Sequence, residues 1–117
     1  MNNRIIRINE LLKEELSKII EEEIDLESGT LITIIRVDAS KDLRYARVLI
    51  GILPDSRSGS SFRALTKQIY KIQQLLNAKL SMKPVPRIKF DLDTGGKRYT
   101  EIENIIQKIE KEDNPKK

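Results

Sequence analysis

Apolar residues in the first part of the chain recur at intervals of three and four positions. Polar residues such as Glu10, Lys13 and Glu14 fall between them, on the opposite side of a helix. This spacing predicts an amphipathic helix over Asn3–Ile24 whose apolar face covers one side of a sheet. The apolar positions are Ile5, Ile8, Leu12, Leu16, Ile19 and Ile20.

Two short segments rich in β-branched residues follow, Thr30–Val37 and Tyr45–Leu53. Such segments are typical of strands, and the short polar link between them makes the strands antiparallel. Apolar residues of the second segment alternate, so one face packs on helices while the other stays open. The residues on the packed face are Ala46, Val48, Ile50 and Ile52.

A long helix is predicted after the small-residue loop Pro54–Ser61, with Ser60 or Ser61 capping its first turn. Its apolar stripe runs from Phe62 to Leu80, and prolines soon after end the helix.

Apolar and charged residues then alternate over Arg87–Leu92, which predicts a third strand, parallel to the second because a helical crossover joins them. Four isoleucines between Ile102 and Ile109 predict a final helix, and residues 113–117 are expected to form a flexible tail. The pattern therefore predicts an α+β domain over residues 1–112 with a three-stranded mixed sheet.

Length and composition narrow the classes of protein. A chain of 117 residues with 38% apolar content has room for one core. It contains neither a membrane-length apolar run nor a secretion signal, so we expect a cytoplasmic protein. Cysteine and histidine are absent, which excludes disulfides, thiolate nucleophiles, imidazole bases and the usual zinc sites. No carboxylates have the spacing of an acid and base across a cleft, so we expect neither an enzyme nor a cofactor.

Charge is distributed very unevenly along the chain. Residues 1–27 hold four basic and eight acidic side chains, whereas residues 28–90 hold twelve basic and three acidic ones. The remainder is nearly balanced, with six basic and seven acidic side chains. A basic middle of net charge +9 within a chain of net charge +4 indicates a polyanionic partner such as RNA.

The candidate phosphate contacts come from the long helix and the open sheet face. Arg63, Lys67 and Lys71 have the spacing of one helical column, although a solvated helix face would show the same spacing. On the sheet, Asp38 and Asp91 could pair with basic neighbours as ordinary surface ion pairs. The predicted RNA-binding residues are Arg47, Arg63, Lys67, Lys71, Lys79, Lys83, Arg87 and Lys89.

Aromatic residues make up only 4% of the chain. Among the aromatic residues at strand positions, Tyr45 alone projects outward, because Phe90 shares the apolar face of the third strand. A base-stacking sheet of the RNA-recognition-motif type is therefore not expected. Contacts to RNA should depend mainly on the phosphate backbone and on shape.

Two sequence strings resemble one family, the bacterial ribosome-binding factor A proteins. Residues Val37–Leu43 followed by Ala46-Arg47-Val48 resemble the family's hairpin pattern V, x, V, S, P, D, L, x, x, A, K, V. Residues Val85–Phe90 resemble its pattern V, P, E, L, x, F. The family's long helix is kinked at Ala-x-Gly, where this chain has Gln68-Ile69-Tyr70, so both a kinked and a straighter helix remain open.

The resemblance implies a single KH-like (type II) domain that binds the immature 30S ribosomal subunit through 16S rRNA. It also implies support of late maturation, including processing of the 16S rRNA 5′ end, often in the cold. We expect a monomer without a membrane or small-molecule partner. The alternative is a protein-interaction module in which the acidic first helix, with Glu14, Glu21 and Glu22, docks on a basic partner.

Overall fold

Three helices and three strands account for most of residues 3–94, which are the residues that the computed structural model describes. The first helix ends within one residue of its predicted end, and the second strand has its predicted bounds. The elements are α1 (Asn3–Glu23), β1 (Leu31–Ala39), β2 (Tyr45–Leu53), α2 (Ser58–Lys67), α3 (Ile69–Lys79) and β3 (Arg87–Leu92).

The strands form one sheet in the order β1-β2-β3, so β2 is central. β1 pairs with β2 in antiparallel register, with Asp38 opposite Arg47, and β3 pairs with β2 in parallel register, with Ile88 opposite Ala46. The register of β1 shifts between Ile34 and Arg36, which marks a bulge. The predicted α+β class and mixed sheet are confirmed, and the element order agrees with the KH-like fold.

One face of the sheet carries the core. Alternating residues of β2, including Val48 and Ile50, are fully buried in one hydrophobic core, to which α1 contributes Leu12 and Leu16 and α3 contributes Ile72. Complete burial of an aliphatic side chain of this size contributes about 1.5–3 kcal/mol. The helices therefore cover the inner face, as predicted, and the outer face stays open.

The predicted long helix is two helices. Gln68 leaves the helical region, with φ −99° and ψ 14°, and its N–H donates to the Leu65 carbonyl at 3.0 Å. The break lets α2 pack on β2 while α3 packs on α1 and β3, so Leu65 and Ile72 are both buried. The kinked alternative is confirmed and the straighter helix is wrong, because burial on two differently placed surfaces outweighs a continuous helix.

The predicted serine cap is also wrong. A 3₁₀ turn over Asp55–Arg57 precedes α2, so the helix begins at Ser58, and its N-cap residue Arg57 makes no side-chain cap bond. The hydroxyls of Ser58 and Ser60 donate to the carbonyls of Asp55 and Arg57, at 2.9 and 3.1 Å. These serines bond to the preceding turn and do not accept from the helix amides.

The predicted C-terminal helix and the predicted tail at 113–117 lie outside the described residues. Within residues 3–94, no helix combines the length and apolar character needed to cross a membrane.

Candidate nucleic-acid interface

A groove follows β3, one of the two edge strands of the sheet within residues 3–94, on the side of α2 and α3. Ile69, at the start of α3, lies where two adjoining depressions meet. One depression lies between α3 and the start of β3, and the other lies between α2 and the rest of β3. We call the whole the β3 groove; its principal residues are Arg47, Phe62, Thr66, Ile69, Tyr70, Gln73, Gln74, Arg87 and Lys89.

Three predicted residues, Arg47, Arg87 and Lys89, meet in the β3 groove because the parallel pairing sets them side by side. Arg47 lies opposite Lys89, and Arg87 is two residues before Lys89 on the same face. Arg47 forms an ion pair with Asp91 at 2.6 Å, as the sequence suggested, so part of its charge is neutralised. Arg87 and Lys89 are exposed, and no carboxylate within residues 3–94 pairs with either.

Gln73 joins the two walls of the β3 groove. Its amide oxygen accepts a hydrogen bond from the Ile88 N–H at 2.9 Å, and its Nε2 donates to the Pro86 carbonyl at 3.1 Å. A second donation runs from Nε2 to Asn77 Oδ1 at 3.0 Å. One half-buried side chain therefore satisfies backbone groups at the free edge of β3 and fixes that edge against α3.

Replacing Gln73 by leucine is expected to lower the free energy of unfolding by about 1–3 kcal/mol, because the Ile88 N–H and Pro86 carbonyl lose their partners. Urea denaturation measures the change, and Gln74→Leu, on the exposed neighbouring residue, is the matched control. Equal effects of the two substitutions would contradict the role of Gln73.

The predicted basic column is divided by the helix break. Arg63 and Lys67 remain on α2, whereas Lys71 is on α3 and its Nζ donates to the Glu23 carbonyl at the end of α1, at 3.2 Å. The three residues therefore do not share one continuous helix, because Gln68 breaks it between Lys67 and Lys71. Lys79 is exposed in the last turn of α3.

A second basic site, which the sequence reasoning missed, lies at the end of the domain. Lys83 lines a cleft together with Arg4 of α1 and Lys41 of the β1–β2 turn. The Lys83 Nζ also donates to the Asn77 carbonyl at 3.2 Å. Arg4 was hidden in the charge sum of the acidic first segment, and only the fold brings three separate elements together. Lys41 lies within the hairpin string Val37–Leu43, and its place in that string was the one signal in the sequence that pointed to this residue.

The turn that carries Lys41 is held by its own hydrogen bonds. Ser40 Oγ donates to Asp42 Oδ1 at 2.7 Å, and the Arg44 N–H donates to the same carboxylate at 3.1 Å. The bond from Ser40, followed by that from Arg44, holds the pKa of Asp42 below its ordinary value of 3.8. Leu43 has a φ of 59°, which closes the turn. Asp42, which lines the cleft together with the three basic residues, therefore stays ionised and bonded within its turn.

Aromatic side chains are placed largely as predicted. Phe90 is buried in the core and Tyr45 is exposed on the outer sheet face, so the strands present no row of aromatic rings. Tyr70, however, is 74% exposed and lines the β3 groove from the helix side. A ring in that position offers a stacking surface for one base, which the sequence reasoning did not assign.

Comparison with known proteins agrees with this architecture. The family model described as ribosome-binding factor A matches residues 4–106. Ribosome-binding factor A of Clostridium botulinum is 34% identical over 111 residues, covering 92% of this chain and 96% of that protein. The corresponding protein of Clostridium acetobutylicum is 33% identical over 109 residues, and the match covers 92% of this chain and 90% of that protein.

Solved structures show the same fold. The crystal structure of ribosome-binding factor A from Thermus thermophilus superposes with a TM-score of 0.64 at 23% identity, covering 75% of this chain and 93% of that one. A homology model of the Thermus thermophilus protein, fitted into the cryo-EM map of a 30S complex, gives a TM-score of 0.59 at 24% identity, covering 71% of this chain and 88% of that one. By sequence and by fold, this chain belongs to the ribosome-binding factor A family.

Proposed function

We propose that this chain is a ribosome assembly factor that binds the immature 30S subunit through 16S rRNA. The observation that carries the proposal is the pair of exposed cations, Arg87 and Lys89, in a groove whose other walls are fixed. Membership of the ribosome-binding factor A family supports the choice of partner. Its Thermus thermophilus relative has been fitted into a 30S complex.

In this proposal the protein acts only by binding rRNA and catalyses no reaction. Clustered Lys and Arg side chains release the counterions that RNA phosphates hold, and a fixed groove favours one backbone path. A protein that binds one rRNA conformation more tightly than its competitors raises the population of that conformation. We propose that this stabilisation supports late maturation of 16S rRNA, including processing of its 5′ end and growth in the cold, by a cytoplasmic monomer without enzymatic activity.

The proposed phosphate contacts fall into separate groups. Arg47, Arg87 and Lys89 serve the β3 groove, and Arg63 and Lys67 extend it along α2. Lys83 acts at the cleft that also holds Arg4 and Lys41. Lys71 and Lys79 lie elsewhere on α3, so we expect the smallest contributions from these two residues.

Sedimentation of cell extract tests the proposal. The protein is expected to migrate with free 30S subunits at low salt and to be absent from 70S ribosomes. Higher salt should release it, because exposed phosphate contacts weaken as the salt concentration rises. Absence from every ribosomal fraction at low salt would contradict the proposal and favour the alternative, a protein-interaction module that uses the acidic face of α1.

A further inference from the structure

Within residues 3–94 the sheet has two edge strands without a further strand beside them, and these two edges differ in their protection. The edge strand β3 begins after a proline and carries Arg87, Lys89 and Asp91, which are the charges that keep an edge from pairing with another chain. The edge strand β1 carries charges only after its bulge. Its first half, Leu31–Ile34, contains four uncharged residues without a proline or a bulge. An unguarded edge of this kind is a template for strand addition.

A groove accompanies this unguarded half of β1 and extends no further along the strand than Ile34. Its other wall is formed by the second half of α1, including Ile20, and by Ile24 just after that helix, and its volume is about 620 Å³. Leu31 is 57% exposed there, and the lining combines apolar residues such as Leu26 and Ile32 with polar ones. The groove therefore offers apolar side chains beside an edge strand, the combination that an extended peptide requires.

One polar atom in the groove wall has no partner. Thr30 Oγ1, just before β1, is the one buried side-chain polar atom within residues 3–94 that makes no hydrogen bond. A buried hydroxyl without a partner costs free energy, and Thr30 is one of the residues that line the groove. The wall of the groove therefore contains one unsatisfied polar atom beside the strand edge.

The acidic residues beside this groove favour a positively charged occupant. Glu21 lines the groove, and Glu22, Glu23 and Asp25 follow it, all of them exposed. No lysine or arginine occurs between positions 19 and 29, and Lys13 at the far end is the one basic residue among the lining residues. Lys71 donates to the Glu23 carbonyl from α3 and Arg57 pairs with Glu27, but neither of them lines the groove. Acidic side chains repel RNA, and a second copy of this chain would bring two acidic segments together. A basic peptide meets neither obstacle.

We propose that Leu31–Ile34 and the adjoining face of α1 form a docking site for an extended, basic segment of a partner protein. The segment adds a strand to β1, its apolar side chains enter the groove, and its basic side chains meet Glu21 and the acidic residues that follow. The site is at the edge opposite the β3 groove, so the protein can hold RNA at one edge and a protein segment at the other. This second interaction does not depend on the RNA contacts.

A ten-residue peptide of alternating Lys and Val tests the site by NMR titration of the full chain. We expect amide shifts at Thr30–Ile34 and around Glu21, and no binding of the matching Glu–Val peptide. The double substitution Leu31→Lys/Thr33→Lys, on two exposed residues, should weaken binding about tenfold, because lysines guard an edge and repel the basic peptide. Tyr45→Lys, at a similarly exposed residue of central β2, should leave it unchanged.

Shifts confined to β3, no binding of the Lys–Val peptide, or a self-associated dimer lost in the double variant would each overturn the proposal. Equal weakening by Tyr45→Lys would also overturn it. The double variant is expected to keep its circular dichroism spectrum and its sedimentation with 30S subunits. The 30S measurement separates this site from the proposed function, which fails only if the unsubstituted chain does not migrate with the subunit.

Discussion

The double variant Arg87→Ala/Lys89→Ala is expected to bind 16S rRNA at least about tenfold more weakly than the unsubstituted chain at moderate salt. A tenfold change corresponds to a loss of about 1.4 kcal/mol of binding free energy. Both side chains are exposed in the β3 groove, and neither is needed to bury the core. The slope of the logarithm of affinity against the logarithm of salt concentration should fall by about 1.4 for single-stranded contacts and about 1.8 for duplex contacts. Fluorescence anisotropy with a 16S rRNA fragment measures both quantities.

Lys13→Ala/Lys18→Ala is the matched control, because it removes the same formal charge from α1. Lys18 lies within 4.0 Å of the Glu14 and Glu15 carboxylates, so its charge is already partly neutralised. The control should change the affinity and the salt slope little. If both double variants lost affinity equally, net charge would explain binding and the β3 groove would not be the site.

Leu16→Ala is expected to lower the free energy of unfolding by about 2–5 kcal/mol, the range for a buried leucine whose removal leaves a cavity. Leu16 is completely buried between α1 and the sheet. A loss of this size is a large part of the total stability of a small domain, about 5–15 kcal/mol. Urea denaturation followed by circular dichroism measures the difference.

Leu11→Ala provides the comparison on the same helix. Leu11 is 39% exposed, so its truncation removes less buried surface and is expected to cost less than about 1 kcal/mol. Similar losses for Leu11 and Leu16 would show that the helix does not pack on the sheet through the face described above.

The sequence predicted the regular elements well wherever burial repeats along the chain. β2 has its predicted bounds because every second residue from Ala46 to Ile52 is buried. β1 was predicted to end at Val37 but continues to Ala39. Asp38 and Ala39 look like turn residues in isolation, yet they pair with Arg47 and Ala46 across the sheet. Pairing with a neighbouring strand decided the strand end, and the local sequence carries no sign of it.

The candidate site was harder to predict, because its parts are distant in the chain. Arg87 and Lys89 could be predicted from the charged face of β3, and Arg47 from the open face of β2. That Tyr70 and Gln73 border the same groove depends on where α3 packs. The cleft of Arg4, Lys41 and Lys83 depends on three elements ending at one end of the domain. Counts of basic and acidic side chains along segments of the sequence do not reveal either the groove or the cleft.

The bend at Gln68 does not require a particular residue type at that position. Gln68 has a φ of −99° and a ψ of 14°, a backbone conformation open to ordinary L-amino acids and not restricted to glycine. The bend is held by burial of Leu65 before it and Ile72 after it, so the residue at the bend is free to vary. Related chains can therefore lose a small residue at this point and keep the same bend, and a search for such domains should not require one.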